Sequence, residues 1–413
     1  MAISTGISRE WVARLPKVRS VDRGALILVG GFAIATVVLR LPSFFEPPWH
    51  TDEGIFEAVA QRVATGGRLY ADAWESKPPL FIYIYVAILK VFGAGVLPLR
   101  IAAAVAALIT ELAVFAIAQR WMSRRRALIA AGVLALSLAV PFWEGNLALT
   151  ETFAQVPLSL AVLCALKGTD RDDRQVTPWL LTAGVLFGVA VLIRQTTGLV
   201  ALGFLFWLLL SGRQWLGPAW KLTVGGALVV LPVVAGFAIF GSWYWFWDAN
   251  VGFFFDYVPS GQQLPFHYRP LIVLPVLATL ASLAIYRRRG ETPNWGLPAL
   301  WLTLTLAGAL LTGRPYSHYF LQLFPPLVIL TLLIAPNVSL QWRPSWSQVP
   351  AYTLAVTLAM LWFGVVRPEF DGNVLAMRLK HQQRGYYPNF AETMIVAEGF
   401  LNRYRNALRD LAK

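Results

Sequence analysis

The sequence predicts an all-α polytopic membrane protein, and three observations carry that prediction. Of 413 residues, 57% are hydrophobic and only 14% are charged. Apolar runs long enough for helices recur along most of the chain. The basic clusters Arg124-Arg125-Arg126 and Arg287-Arg288-Arg289 stand between these runs, where they read as cytoplasmic loop signals. The formal charge of +13 therefore implies no nucleic-acid partner. The single cysteine, Cys164, excludes an intramolecular disulfide and sits in the apolar run from Ser159 to Leu166 as a packing residue.

The chain opens on five basic residues, Arg9, Arg14, Lys17, Arg19 and Arg23, before an apolar run from Gly24 to Leu39. That order resembles a signal sequence, but Arg40 and Pro42 close the run where a small-residue cleavage site would stand. It is expected to stay as the first span, with the N-terminus inside. Further spans are expected at about 98–118, 127–143, 150–166, 178–193, 197–211, 222–241, 270–286, 296–312, 319–335 and 350–366, after a first at 24–41.

The run Pro79 to Phe92 is different. As a helix it reaches about 21 Å against a hydrocarbon core of roughly 30 Å, and Lys90 interrupts it. Charge decides its placement. If it crossed, both arginine triplets would lie outside; as a helix in the outer interface, it leaves them inside. The expected architecture is about eleven spans with an outer-face interfacial helix in the first loop. One transmembrane domain covers 1–366, with an outer loop at 43–97. A short outer-face tail covers 367–413, where Asn389 and Glu392 would cap an amphipathic helix. The implied location is the cytoplasmic membrane, with membrane lipids as neighbours.

The first outer loop holds the densest charge. Between Ser43 and Pro78 stand Glu46, Asp52, Glu53, Glu57, Asp72 and Glu75, beside Arg62, Arg68 and Lys77. Ionisable groups beside a bilayer are costly and tend to mark function. Adjacent acids followed by a proline-locked cation suit a reaction in which a base activates an acceptor and a cation holds an anionic leaving group.

Asp52-Glu53 after the first span, then Lys77-Pro78-Pro79, resemble the first outer loop of family 39 glycosyltransferases of the GT-C class. A second match is Arg314-Pro315-Tyr316-Ser317-His318-Tyr319-Phe320 before Leu323-Phe324-Pro325-Pro326. The similarity runs from about Ala25 to Ile334. The resemblance implies a GT-C fold and transfer of a sugar from a polyprenyl-phosphate monosaccharide to an acceptor hydroxyl, inverting at the anomeric carbon. The acceptor is a glycan, lipid or protein, and the active site faces outside.

On that resemblance Asp52 is expected to be the base, with Glu53 orienting it, tuning it or holding a cation. Lys77 is expected on the donor phosphate, against the alternative of an interfacial anchor. Relatives carry an acid near Glu151, which would equally suit the helix dipole as a first-turn residue. Arg194 matches a place where relatives have a lysine; phosphate or sugar contact and snorkelling stand level. Arg314, His318 and Tyr319 are expected to bind the phosphate or the sugar, with an interfacial belt as the alternative.

No cofactor is required and no metal site is assigned, although Glu53 and Glu151 leave room for a divalent cation. Asp170-Arg171-Asp172-Asp173 has an Asp-x-Asp spacing but falls in an expected inner loop and reads as a linker. No Walker A, dinucleotide or His-Glu-x-x-His motif occurs. The rival functions are a secondary transporter or lipid flippase, and a scaffold of envelope assembly. Charge gathered at one end of the bilayer disfavours the transporter, whose site would lie near the midplane.

Overall fold

The computed structural model describes residues 23–45, 50–169, 176–211, 216–260, 273–288, 294–314 and 316–334. Among them the chain is helical, and the β geometry is confined to an isolated bridge between Leu69 and Ala73. Helix α1 is Arg23–Arg40, α2 Thr51–Ala64, α3 Pro79–Phe92, α4 Val96–Ala118 and α5 Arg124–Ala139. Then follow α6 Thr150–Gly168, α7 Val176–Ile193, α8 Thr197–Ser211 and α9 Leu216–Ile239. Two short helices, α10 Trp243–Trp247 and α11 Phe253–Tyr257, precede α12 Val273–Arg288, α13 Gly296–Leu310 and α14 Phe324–Ile334.

Helices thus lie over the expected segments up to 319–335. The segment 350–366, the tail with Asn389 and Glu392, and the Asp170–Asp173 linker lie outside the described residues. Among the described residues, four stretches are long and apolar enough to cross a membrane: Leu26–Phe44, Val96–Ala118, Leu216–Ile239 and Ser317–Ile334. The apolar helix Pro79–Phe92 is shorter, as are those at Thr177–Ile193, Thr197–Leu209, Val273–Ile285 and Gly296–Leu310. Ile27, Ile34 and Val38 on α1, and Leu228 and Leu231 on α9, turn outward. Such apolar surface on helices with internally satisfied backbones suits hydrocarbon rather than water.

Two boundaries differ from the periodic reading, and proline explains both. The run at 127–143 breaks after Ala139, because Pro141 offers no N–H and pushes Val140 out of the α region, to φ −70° and ψ 120°. A 3-10 turn, Pro141–Trp143, follows. The last span begins as a 3-10 helix, Ser317–Leu323, and becomes α only at Phe324, where Pro325 and Pro326 occupy first-turn positions that need no donor.

The core is built on α7, which packs against α6 on one side and α9 on the other. A Cβ on Gly184 would collide with the Leu222 carbonyl oxygen, and one on Gly225 with that of Leu181. Gly188 faces Gly226 in the same seam. Small residues let these backbones meet without a hydrophobic driving force, which lipid would not supply. Phe187, Phe204, Leu134 and Leu158 are buried in the same core. A second core under the first loop joins Phe56, Phe81, Tyr85 and Phe153.

Candidate active site

The site is built from loops at one end of the bundle, and α2 sets its geometry. His50 stands at the N-cap of α2, with Asp52 and Glu53 in the first turn. Successive helical side chains point about 100° apart, so the two adjacent carboxylates do not converge. Glu53 turns inward, where Arg100 of α4 donates to it through Nε (2.9 Å to Oε1) and Nη2 (2.7 Å to Oε2). The backbone N–H of Ala148 donates to Oε1 at 2.7 Å. Arg100 is fully buried and also reaches the Ser43 carbonyl at 3.3 Å. Tyr85 Oη donates to the Ala148 carbonyl. This knot joins the 3-10 turn Leu41–Phe44 after α1, then α2, α3, α4 and the segment before α6.

Asp52 points the other way, with its side chain 34% exposed, and its Oδ2 lies 4.0 Å from Nε2 of His318. The opposite ring nitrogen, Nδ1, is 2.6 Å from Oε2 of Glu144. His50 Nε2 approaches that same oxygen at 3.2 Å, and Ser317 Oγ donates to Oε1 at 2.9 Å. Glu144 adopts φ 57°, a left-handed conformation that a glutamate enters at a cost and that clusters at functional sites. Next to it, a Cβ on Gly145 would strike the Leu138 carbonyl, so the turn needs glycine there.

Electrostatics follow the contacts. Burial opposes ionisation of Glu144, but hydrogen bonds from His318 and His50 outweigh it and hold the carboxyl well below the usual range. Burial likewise opposes protonation of His50, and the Glu144 bond with the fields of Asp52, Glu144 and Glu53 raises its pKa above 6.5 nonetheless.

Glu151 and Arg194 meet in a buried ion pair. Arg194 Nη1 donates to Thr150 Oγ1 and its Nε to Thr196 Oγ1, each at 3.1 Å. The guanidinium lies 4.7 Å from the Tyr319 ring centroid, a cation–π distance. Lys77 is partly exposed at the start of α3, its Nζ 5.8 Å from the Phe56 ring. Tyr70 Oη fixes the Lys77 carbonyl at 2.8 Å, and Gln195 Nε2 the Ser76 carbonyl at 3.0 Å. Lys77 forms no salt bridge among the described residues, yet its charge acts on Glu151 and Tyr257.

Arg314 is buried and its donors are directed at the chain. Nη1 reaches the Tyr257 carbonyl at 2.6 Å and Nη2 the Ser260 hydroxyl at 2.8 Å, with the Tyr257 ring centroid 4.3 Å away. The aromatic segment around it divides. Trp243 and Trp247 are exposed as a belt would be, whereas Phe246 and Phe253 are core, Phe253 lying 5.1 Å from Trp74.

Asp52, Lys77, Glu151, Arg194, His318 and Tyr319 therefore gather at one end of the bundle, while Glu53 and Arg314 serve neighbouring ties. Sequence reasoning passed over Arg100 and Glu144. Arg100 was legible as a lone charge early in an apolar run, and Glu144 as a lone acid between two spans. Their partners lie 47 and 174 positions away, so no local spacing announced them.

The described residues thus form an apolar helical bundle with carboxylates, histidines and cations collected where helices end. Residues 76–240 match the family model described as dolichyl-phosphate-mannose-protein mannosyltransferase. The crystal structure of ArnT from Cupriavidus metallidurans bound to undecaprenyl phosphate is similar, with TM-score 0.58 and 18% identity, over 92% of this chain and 76% of that one. The apo structure of the same protein gives TM-score 0.57 and 20% identity over the same shares. The archaeal oligosaccharyltransferase AglB from Archaeoglobus fulgidus, in complex with an inhibitory peptide and a dolichol-phosphate, gives 0.46 and 13% over 91% and 55%. No curated protein matches the chain. The motif resemblance and the family match over 76–240 agree with each other, and the chain shares the fold of ArnT.

Proposed function

We propose that the chain transfers one sugar from a polyprenyl-phosphate monosaccharide to an acceptor hydroxyl at the outer face of the cytoplasmic membrane. The observation that carries the reading is the separation of the acid pair: Glu53 is consumed by Arg100, and Asp52 is left partly exposed beside His318. The matched mannosyltransferase family and the likeness to ArnT, which is seen bound to undecaprenyl phosphate, support a lipid-phosphate donor.

In this mechanism Asp52 accepts the proton of the acceptor hydroxyl as that oxygen bonds to the anomeric carbon. The bond from that carbon to the phosphate oxygen breaks, and its electron pair leaves with polyprenyl phosphate. One displacement on one carbon inverts it. Lys77 faces the departing charge, since a compact ammonium without a carboxylate on it suits a phosphate oxygen. Glu151 and Arg194 act as a unit, with the guanidinium over the Tyr319 ring at 4.7 Å from its centroid. Glu53 and Arg314 position the loops that carry Asp52 and the aromatic segment. Asp52, Lys77, Glu151, Arg194 and His318 stand at helix ends rather than mid-helix, which supports a transferase over a transporter.

The test is direct. Purified protein in nanodiscs, given a panel of radiolabelled polyprenyl-phosphate sugars and envelope acceptors, is expected to release polyprenyl phosphate in step with glycan labelling. No turnover of any donor in a preparation that binds polyprenyl phosphate would overturn it.

A further inference from the structure

Three side chains near the site have no part in the displacement just described, yet they meet with metal-ligand chemistry. We propose that His50, Glu144 and His318 form a binding site for a zinc-class divalent ion. One ligand atom from each lies within 4.8 Å of the other two. His50 Nε2 and Glu144 Oε2 stand 3.2 Å apart, close to the roughly 3.3 Å between neighbouring ligands of a tetrahedral ion with bonds of about 2.0–2.1 Å. His318 Nδ1 and the same oxygen are hydrogen-bonded at 2.6 Å, so the ion takes the place of a proton and that edge opens as it enters.

The surroundings fit a metal as well as the ligands do. A ligating histidine usually directs its other ring nitrogen at a carboxylate, carbonyl or water, and on that side of His318 stands Asp52, its Oδ2 4.0 Å from Nε2 and so beyond direct hydrogen-bond distance. The ligating carboxylate is in turn oriented by a second group, the Ser317 hydroxyl on Oε1. The His50 and His318 rings stand edge to face, 84° apart with centroids 5.9 Å apart, which turns both toward the carboxylate between them. Two imidazoles and one carboxylate favour zinc, or cobalt in its place, over magnesium or calcium, which take oxygen.

The ion would clamp three segments distant in sequence: the start of α2, the turn before α6 and the 3-10 helix Ser317–Leu323. Its consequence for the site is positional. Fixing His318 through Nδ1 leaves Nε2 as the group that faces Asp52.

The proposal does not depend on glycosyl transfer, and its test reads metal rather than activity. Tag-free full-length protein, stripped with chelator and dialysed against micromolar zinc, is expected to retain roughly one ion per chain. Cobalt in its place is expected to give the intense visible bands of a tetrahedral site. His50→Gln and Glu144→Gln are expected to lose the ion. Ser317→Ala is expected to bind roughly ten-fold more weakly, since it removes only the orienting hydroxyl. Folding of each variant is checked by its elution profile and melting temperature in chelator. A parent chain that retains no zinc and shows no cobalt bands overturns the proposal, and so does zinc binding unchanged in folded His50→Gln and Glu144→Gln protein.

Discussion

Glu53 and Arg100 form a buried two-point ion pair, 2.7 Å at its closer contact, one residue away from a carboxylate that faces the other way. Removing one member of such a pair leaves a desolvated charge, at a cost of about 3–5 kcal/mol. Glu53→Ala and Arg100→Ala are each expected to lower the melting temperature sharply or prevent accumulation. The double change should cost less than the sum of the two. Additive losses in a thermal melt would mean that the pair is not a unit.

Asp52→Asn is expected to behave in the opposite manner. It keeps the shape of a side chain that is partly exposed while removing its basicity, so the melting temperature should hold. Turnover should fall about 10²–10⁴-fold, the usual worth of general-base assistance. Turnover within a factor of about three of the parent would remove Asp52 from the role.

Lys77 and Arg314 are expected to part company. Lys77→Ala should weaken binding of a polyprenyl-phosphate donor by roughly ten- to 150-fold, the worth of about 1.5–3 kcal/mol for one charge-assisted contact. Binding of a neutral polyprenyl sugar without phosphate should be unchanged. Arg314→Ala breaks contacts to Tyr257 and Ser260, so its loss should appear first in thermal stability and equally for both lipids. Equal effects of the two substitutions on the charged donor alone would return Arg314 to the phosphate.

Glu151 and Arg194 are paired inside the protein. A double-mutant cycle with Glu151→Gln and Arg194→Met, read by melting temperature and donor affinity, is expected to show coupling of about 0.5–3 kcal/mol. A cycle that closes to zero in both readouts would mean that the two act separately.

Orientation is tested by thiol labelling in a Cys164→Ala background. A cysteine at Thr65, exposed just beyond α2, is expected to react with an impermeant reagent in intact cells. One at Ser123, exposed between α4 and α5 at the opposite end of α4, should react only after lysis. The reverse pattern would turn the proposed site to the cytoplasm.

Much of this architecture is legible along the chain because hydrocarbon enforces it. A span must be apolar and must satisfy its own backbone, so composition alone marks α1, α4, α9 and the last helix. Proline grammar would have marked the breaks at Pro141 and Pro325 too. The acidic first loop announces a site for the same reason, since charge beside a bilayer has to be justified. What one dimension does not carry is direction and partnership. Asp52 and Glu53 are neighbours with the same chemistry, and only the tertiary fold, which brings Arg100 of α4 to the start of α2, turns Glu53 inward and leaves Asp52 beside His318. Glu144 reads as an isolated acid in a short turn until the fold brings His50 from 94 positions before it and His318 from 174 after it onto one oxygen. Those contacts are long-range, and desolvation, which depends on the whole bundle, decides which charges are ties and which remain for chemistry.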